Sequence, residues 1–378
     1  MQVVKSWAND GVDHRRQSSL FFIELRNLKR PLRTVNRALL FFPVATSRES
    51  AQFQCPVSTS VQWAFAKNSF SDLANGVQYT FISSNWTTIM SVESPGARLR
   101  NAWINGPVLL PGVFSPLVAK MAERLGFQAI YLSGGALSAG SGFPDIGLLT
   151  LSEFVAEAQR ITQVCTLPLV SDADTGFGEA LNVERTVRLL EAAGVAGVHL
   201  EDQTLPKRCG HLSGKSLIAP EAMASKIRAA VASKRDPNFV IIARTDARGV
   251  NGFDDAVRRA KLYVEAGADA IFPEALETAQ EFQDFAEEMP VPLLANMTEF
   301  GKSPLLDAAE LGRLGYTMIL FPLTAFRSAM QAAEDTLLAL KNTGHQRERV
   351  PSMMTRAELY DRLEYTDYEA RDRRYFGE

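Results

Sequence analysis

Cysteine is scarce: the 378 residues hold only Cys55, Cys165 and Cys209, scattered and odd in number. That count excludes a disulfide framework and suits a reducing cytosol or organelle matrix. Long hydrophobic runs are missing too. No uncharged apolar stretch approaches the roughly 18 residues that a spanning helix requires, so no transmembrane segment is expected. A strong charge of either sign is likewise absent. The net charge of −3 and the pI near 6.0 give no general attraction to nucleic acid or to an anionic membrane, and neither is an expected partner. What is plentiful is core-forming material: 46% of the residues are hydrophobic, enough at this length for one large α/β barrel or two ordinary domains.

The charge is unevenly spread. Residues 1–89 carry ten Lys/Arg against five Asp/Glu, leaving residues 90–378 acidic. Apolar clusters such as Leu20-Phe21-Phe22-Ile23 lead into no regular alternation there. Three expectations stand for this basic segment: disordered upstream sequence ahead of a natural start at Met90, a transit peptide, or an extra domain. Asp10, Asp13 and Glu24 are unusual in a transit peptide, which favours the first. The first gives a cytoplasmic protein and the second a mitochondrial matrix one.

From Leu99 a period sets in. Four times a helical pattern ends at glycine and an apolar run follows after three residues: Gly126 before Ile130-Tyr131-Leu132, Gly194 before Val198-His199-Leu200, Gly267 before Ile271-Phe272-Pro273, and Gly315 before Ile319-Leu320-Phe321. Glycine just past a helix end is the expected left-handed cap, and the short run after it reads as a strand buried on both faces. Four more runs, at Val108–Leu110, Leu167–Val170, Phe239–Ile242 and Pro292–Ala295, bring the count to eight. Between them Val183, Val187 and Leu190 fall at helical spacing, as do Met223, Ile227 and Ala230, and Ala256, Ala260 and Tyr263. Eight even alternations predict a (β/α)8 TIM-type barrel, with a doubly wound sheet as the alternative because periodicity cannot show closure. A helical extension is expected from about residue 345, and Leu359, Leu363, Tyr368 and Tyr375 within it suggest packing on a partner subunit.

In such a barrel the chemistry gathers at the carboxyl ends of the strands. The residues found there are Ser133-Gly134-Gly135, Asp172-Ala173-Asp174, Glu201-Asp202, Arg244-Thr245-Asp246, Glu274, Asn296-Met297-Thr298 and, after the eighth run, Arg327. Asp172, Asp174 and Glu201 are hard oxygen donors suited to Mg²⁺ or Mn²⁺. Arg244, Arg327 and Arg208 are planar forks for carboxylates, and the glycine pair can offer backbone N–H groups to an anion. Singly, each has an ordinary reading as a turn, a cap or an ion pair. Jointly, at seven of eight strand ends, they imply a small polycarboxylate chelated to a divalent cation. After the fourth strand comes Lys207-Arg208-Cys209-Gly210-His211, a thiol among cations on a glycine-flanked loop, where Cys209 is expected to be reactive. Metal, base and mobile acid together suggest carbon–carbon lyase chemistry, whereas a carboxylate-binding module would have no use for the thiol.

Together with Asp172–Gly178, His199–Gln203 and Ala243–Asp246, these motifs resemble the isocitrate lyase and phosphoenolpyruvate mutase superfamily, over roughly Leu99 to the C-terminus. They look most like the branch that cleaves 2-methylisocitrate to pyruvate and succinate. The resemblance implies Asp172 and Asp174 as metal-site carboxylates, with Glu201 and Asp145 on metal-bound waters. It implies Cys209 as the general acid, tuned by Lys207, Arg208 and His211, and leaves Tyr131 as a candidate base. Substrate carboxylates would meet Ser133, Gly134, Gly135, Gly210, Arg244, Asn296, Thr298 and Arg327, with Met297 beside them, while Glu274 and Arg356 close the site. Phe272, Leu320 and Pro322 match the positions of a methyl pocket. Members acting on isocitrate carry Lys-Lys-Cys-Gly-His and a large insertion; this chain has Lys207-Arg208-Cys209 and none. Isocitrate and oxaloacetate remain alternative substrates. The resemblance also implies a homotetramer that exchanges C-terminal helices.

Overall fold

The computed structural model describes residues 93–377, and before them only a two-residue antiparallel ladder, Phe53–Gln54 with Gln62–Trp63. The expectations for residues 1–89 otherwise lie outside the described residues. The chain divides into two units, Met1–Ile89 and Met90–Glu378, and the barrel lies wholly in the second.

Eight short parallel strands form it: β1 (Val108–Pro111), β2 (Ile130–Leu132), β3 (Leu169–Asp172), β4 (Gly197–Glu201), β5 (Val240–Thr245), β6 (Ala270–Pro273), β7 (Leu294–Asn296) and β8 (Met318–Phe321). Strands β2 to β6 pair in sequence, and β8 lies between β7 and β1. Two single parallel bridges complete the ring, Gly112 with Tyr131 between β1 and β2, and Ile271 with Leu293 between β6 and β7. The sheet is therefore closed, which settles the barrel against the doubly wound alternative. At the β8–β1 seam the chain comes so close that a Cβ on Gly112 would collide with the Pro322 carbonyl.

The four predicted cap glycines adopt positive φ, +83° at Gly126, +86° at Gly194, +102° at Gly267 and +98° at Gly315. Strand ends differ more from expectation. The run predicted at Phe239–Ile242 continues as β5 to Thr245, because Arg244 pairs with Glu201 and Phe272 in the ladder whatever its side chain does. Backbone pairing outlasts hydrophobicity there.

Helices coat the outside. On α5 (Ala180–Ala192) the predicted stripe Val183, Val187 and Leu190 is buried, and on α7 (Phe253–Glu265) so are Ala256, Ala260 and Tyr263. Full burial of a Val- or Leu-sized side chain stabilises by about 1.5–3 kcal/mol, so these stripes hold the helices to the sheet. Short α1 (Pro95–Ile104) places Leu99 against the inward-facing core, and its Arg100 reaches the Asn238 carbonyl at 2.8 Å and Asp269 at 2.7 Å. After β8 comes α10 (Thr324–Thr343), which buries only Phe326. The expected terminal helix is two, α11 (Arg356–Arg362) and α12 (Tyr365–Phe376), broken where Glu364 takes φ +56°. Arg124 and Lys120 on α2 (Pro116–Arg124) hold this end through Asp361 (2.6 Å) and Glu364 (2.7 Å).

Candidate active site

Alternate residues of each strand face the barrel axis. The inward core contains Tyr131 of β2, Val170 of β3, Ile242 of β5, Phe272 of β6, Leu294 of β7 and Leu320 of β8. Two residues further along each strand, the same faces carry Ser133, Asp172, Arg244, Glu274 and Asn296, with Glu201 on β4. The polar set predicted from sequence thus converges on one mouth. Phe272 and Leu320 form its apolar floor, and Pro322 is buried at the β8 end.

The acids meet Lys207. Its ammonium, nearly buried, bonds Asp145 and lies 2.8 Å from Asp174 Oδ1. Asp172 is held by backbone, with Gly134 N–H donating to Oδ2 at 3.1 Å and Asp174 N–H to Oδ1 at 2.9 Å. Burial and the Asp172 charge push the Asp174 carboxyl up to about 6. Burial likewise raises Glu201, whose Oε1 is buried without a hydrogen-bond partner. Around the mouth stand Asp145, Asp172, Asp174, Glu201, Asp246 and Glu274, against Lys207, Lys215 and Arg244 as fixed cations. This excess of hard oxygen and negative charge fits a divalent cation. Among the described residues no three ligating side chains converge tightly enough to enclose a metal unaided. A cation here would take one or two carboxylates and complete its shell with water and substrate oxygens, the habit of Mg²⁺.

Arg244 is the hub on the opposite side. It forks onto Asp246 at 3.0 and 3.1 Å, lies 3.2 Å from Glu201 Oε2 and 3.6 Å from Glu274 Oε2, and stacks over the Phe272 ring at 5.1 Å. Glu274 in turn accepts from Asn296 Nδ2 at 3.3 Å, and Arg244 and His211 keep its carboxyl down at about 2 against burial.

The Cys209 loop is seated on this hub. A Cβ on Gly210 would strike Glu274 and the Arg244 guanidinium, so only glycine lets the loop lie this close. His211 accepts the Lys302 N–H at Nδ1 (2.9 Å), and its Nε2 lies 2.6 Å from Glu274 Oε1. The Gln203 side chain bonds both the N–H and the carbonyl of Arg208, at 2.9 and 2.8 Å. Cys209 is partly buried, and burial pushes its thiol above the ordinary range despite the nearby cations. It is a protonated thiol at neutral pH, the form a general acid needs.

Beneath the acids, Tyr131 OH lies 2.6 Å from His199 Nε2, which is 3.4 Å from Asp172 Oδ1. Burial raises the phenol and lowers the imidazole, so both are neutral. Sequence reasoning gave His199 no role. Its inward position two residues before Glu201 was the available signal.

Four expected site residues stand elsewhere. Met297 packs in the outer core between strands and helices, because it has the opposite parity to Asn296 and Thr298. Arg208 is exposed and reaches only the Ser213 carbonyl, at 3.4 Å. Arg356 opens α11, exposed, and none of its hydrogen bonds or ion pairs in the structure involves the site. Arg327 touches Thr298 at 3.5 Å but is engaged by Glu299 at 2.7 Å, at the rim rather than over the hub. Lys215, buried 2.7 Å from Asp246, is a site residue that sequence reasoning did not select, and Asp246 stood in the strand-end set without a role of its own.

A closed barrel whose mouth gathers a carboxylate cluster and a buried arginine under a thiol-bearing loop has the layout of an enzyme for a small-molecule substrate. Residues 100–341 match the phosphoenolpyruvate phosphomutase family, and the chain belongs to it, within the isocitrate lyase and phosphoenolpyruvate mutase superfamily. The chain is 52% identical over 282 residues to a 2-methylisocitrate lyase of Aeropyrum pernix, covering 74% of this chain and 91% of the relative. It is 48% identical over 283 residues to the 2-methylisocitrate lyase of Escherichia coli, covering 74% and 96%. Among solved structures, phosphonopyruvate hydrolase in complex with oxalate and Mg²⁺ superposes with a TM-score of 0.68 at 33% identity, covering 75% of this chain and 99% of that one.

Proposed function

We propose that the chain is a carbon–carbon lyase that cleaves 2-methylisocitrate to pyruvate and succinate, the activity named for the relatives from A. pernix and E. coli. One observation carries the reading: the thiol-bearing loop rests directly on the arginine and acids of the mouth, where only glycine fits at position 210. Asp172 and Asp174, backed by Glu201 and Asp145, would hold Mg²⁺, which draws charge from the hydroxyl and carboxylate oxygens of the bound acid. The Mg²⁺ in the complex of the phosphonopyruvate hydrolase supports that choice. Mn²⁺ suits the same donors.

The chain's own groups then divide the work. Arg244, Asn296 and the backbone N–H groups of Ser133–Gly135 orient the carboxylates. Tyr131 relays the hydroxyl proton: its oxygen takes the substrate proton while its own passes to His199 Nε2, and the resulting imidazolium lies beside Asp172. The carbon–carbon bond breaks, the alkoxide carbon becomes the pyruvate carbonyl, and the electron pair goes to the succinate carbon. Cys209 Sγ–H protonates that carbon; the thiolate then takes a proton from solvent and the His199 imidazolium gives one up to solvent, which restores both groups. Phe272 and Leu320 supply an apolar surface for the extra methyl. One methyl contributes only about 1–3 kcal/mol, so selectivity over isocitrate should be modest.

The partner is then a small tricarboxylate. A homotetramer is proposed from the exposed Leu337, Leu338, Leu363, Tyr368 and Tyr375 on α10 to α12. A cytoplasmic setting accords with the scarcity of cysteine, and among the described residues no helix is long and apolar enough to cross a membrane. The test is purified protein with Mg²⁺ and 2-methylisocitrate, isocitrate or oxaloacetate in parallel, following keto-acid release. Pyruvate should form fastest from the first; none from it would refute the assignment.

A further inference from the structure

Arg244 has to bring positive charge to a substrate carboxylate, yet the fold surrounds it with three acids of its own: Asp246, Glu201 and Glu274. A guanidinium forked onto Asp246 and facing Glu274, with Glu201 beside them, has little surplus charge for a further carboxylate. Two of those acids also meet a basic side chain from the short stretch 207–215. His211 Nε2 lies 2.6 Å from Glu274 Oε1, and Lys215 Nζ meets Asp246 Oδ1 at 2.7 Å. The Lys215–Asp246 pair has side chains 2% and 0% exposed, so water screens it very little.

Lys215 also donates to the Gly210 carbonyl. A single ammonium therefore bridges the loop that carries Cys209 and the acid that steers Arg244. Asp246 cannot follow a moving loop, because its backbone N–H is tied at 2.9 Å to Asp202 Oδ1. Asp202, on the outward face of the sheet, is itself fixed by Thr245 and Tyr263 hydroxyls, each at 2.8 Å, and by Arg259 at 3.2 Å.

We propose that Lys215 is a positioning residue: it neutralises Asp246 while gripping Gly210, and so frees the Arg244 charge for the substrate carboxylate when the Cys209 loop is seated. The proposal rests on Arg244 as the substrate arginine. The test uses the full chain with Mg²⁺, calorimetric titration of succinate, and steady-state kinetics on 2-methylisocitrate. Lys215→Met should raise the succinate Kd and the KM by roughly 10- to 100-fold, the usual scale for breaking a buried charge pair, with kcat changed far less. Lys215→Gln, which keeps a donor but drops the charge, should do the same and serves if the Met variant does not fold. Adding Asp246→Asn to Lys215→Met should restore most of the affinity, since one competitor for Arg244 is then gone. A lowered melting temperature with unchanged Kd and KM would reduce Lys215 to a structural role and overturn the proposal. Arg244→Gln separates the two readings. If it weakens succinate while the Lys215 variants do not, the coupling fails alone; if it binds succinate as the unaltered protein does, the substrate-arginine reading fails and the coupling with it.

Discussion

At the scale of single residues the site is a set of charges and protons held in defined states. Cys209 illustrates this. Its cationic neighbours suggest a thiolate, but burial outweighs them and keeps the proton on sulfur. Replacing Cys209 by Ser should lower kcat by roughly 10²–10⁴-fold, the span of a lost general acid, while calorimetry still finds Mg²⁺-dependent succinate binding. The pH profile should stay level through neutrality and fall only as pH climbs past the raised thiol pKa. Asp174 makes the opposite kind of prediction. Its folded pKa of about 6 exceeds the ordinary 3.8, so the metal-free native state holds an extra proton between those values. Stability then falls as pH rises through that window, and a bound cation recovers the loss. The rise in melting temperature on adding Mg²⁺ should therefore be larger at about pH 7.5 than at about pH 5.5. Equal rises at both would argue that Asp174 is not at the metal.

At the scale of elements, the eight strands and the capped helices were legible because apolar runs and cap glycines are local signals. Closure was not, since it depends on the last strand, β8, pairing with the first, β1, and on two lone bridges that no local pattern marks. The mouth was legible as a list and misread where direction or reach mattered. Met297 was grouped with Asn296 and Thr298 by adjacency, yet strand parity turns it to the opposite face. Lys215 was invisible because nothing local reveals that a loop lysine is buried against an acid 31 residues later. The seam itself can be tested. Gly112→Ala would push a methyl into the Pro322 carbonyl where β1 meets β8, and should cost about 1–3 kcal/mol or more in chemical denaturation. A neutral outcome would mean the strands there can shift without loss.

At the scale of the molecule, every residue that the structure gathers at the mouth lies between Tyr131 and Arg327, inside a unit that begins at Met90. A chain shortened to Met90–Glu378 is expected to keep its activity and its melting temperature; loss of either would make the first 89 residues part of the working protein. Sedimentation should show a tetramer for both chains, and a fully active monomer would refute the proposed assembly. One detail of the loop bears on substrate choice. Gln203 grips position 208 purely through its main chain, and the Arg208 side chain leads into solvent. The letter that separates Lys-Arg-Cys from Lys-Lys-Cys therefore points away from the reacting groups, and Arg208→Lys is expected to leave kcat and KM on 2-methylisocitrate and on isocitrate unchanged.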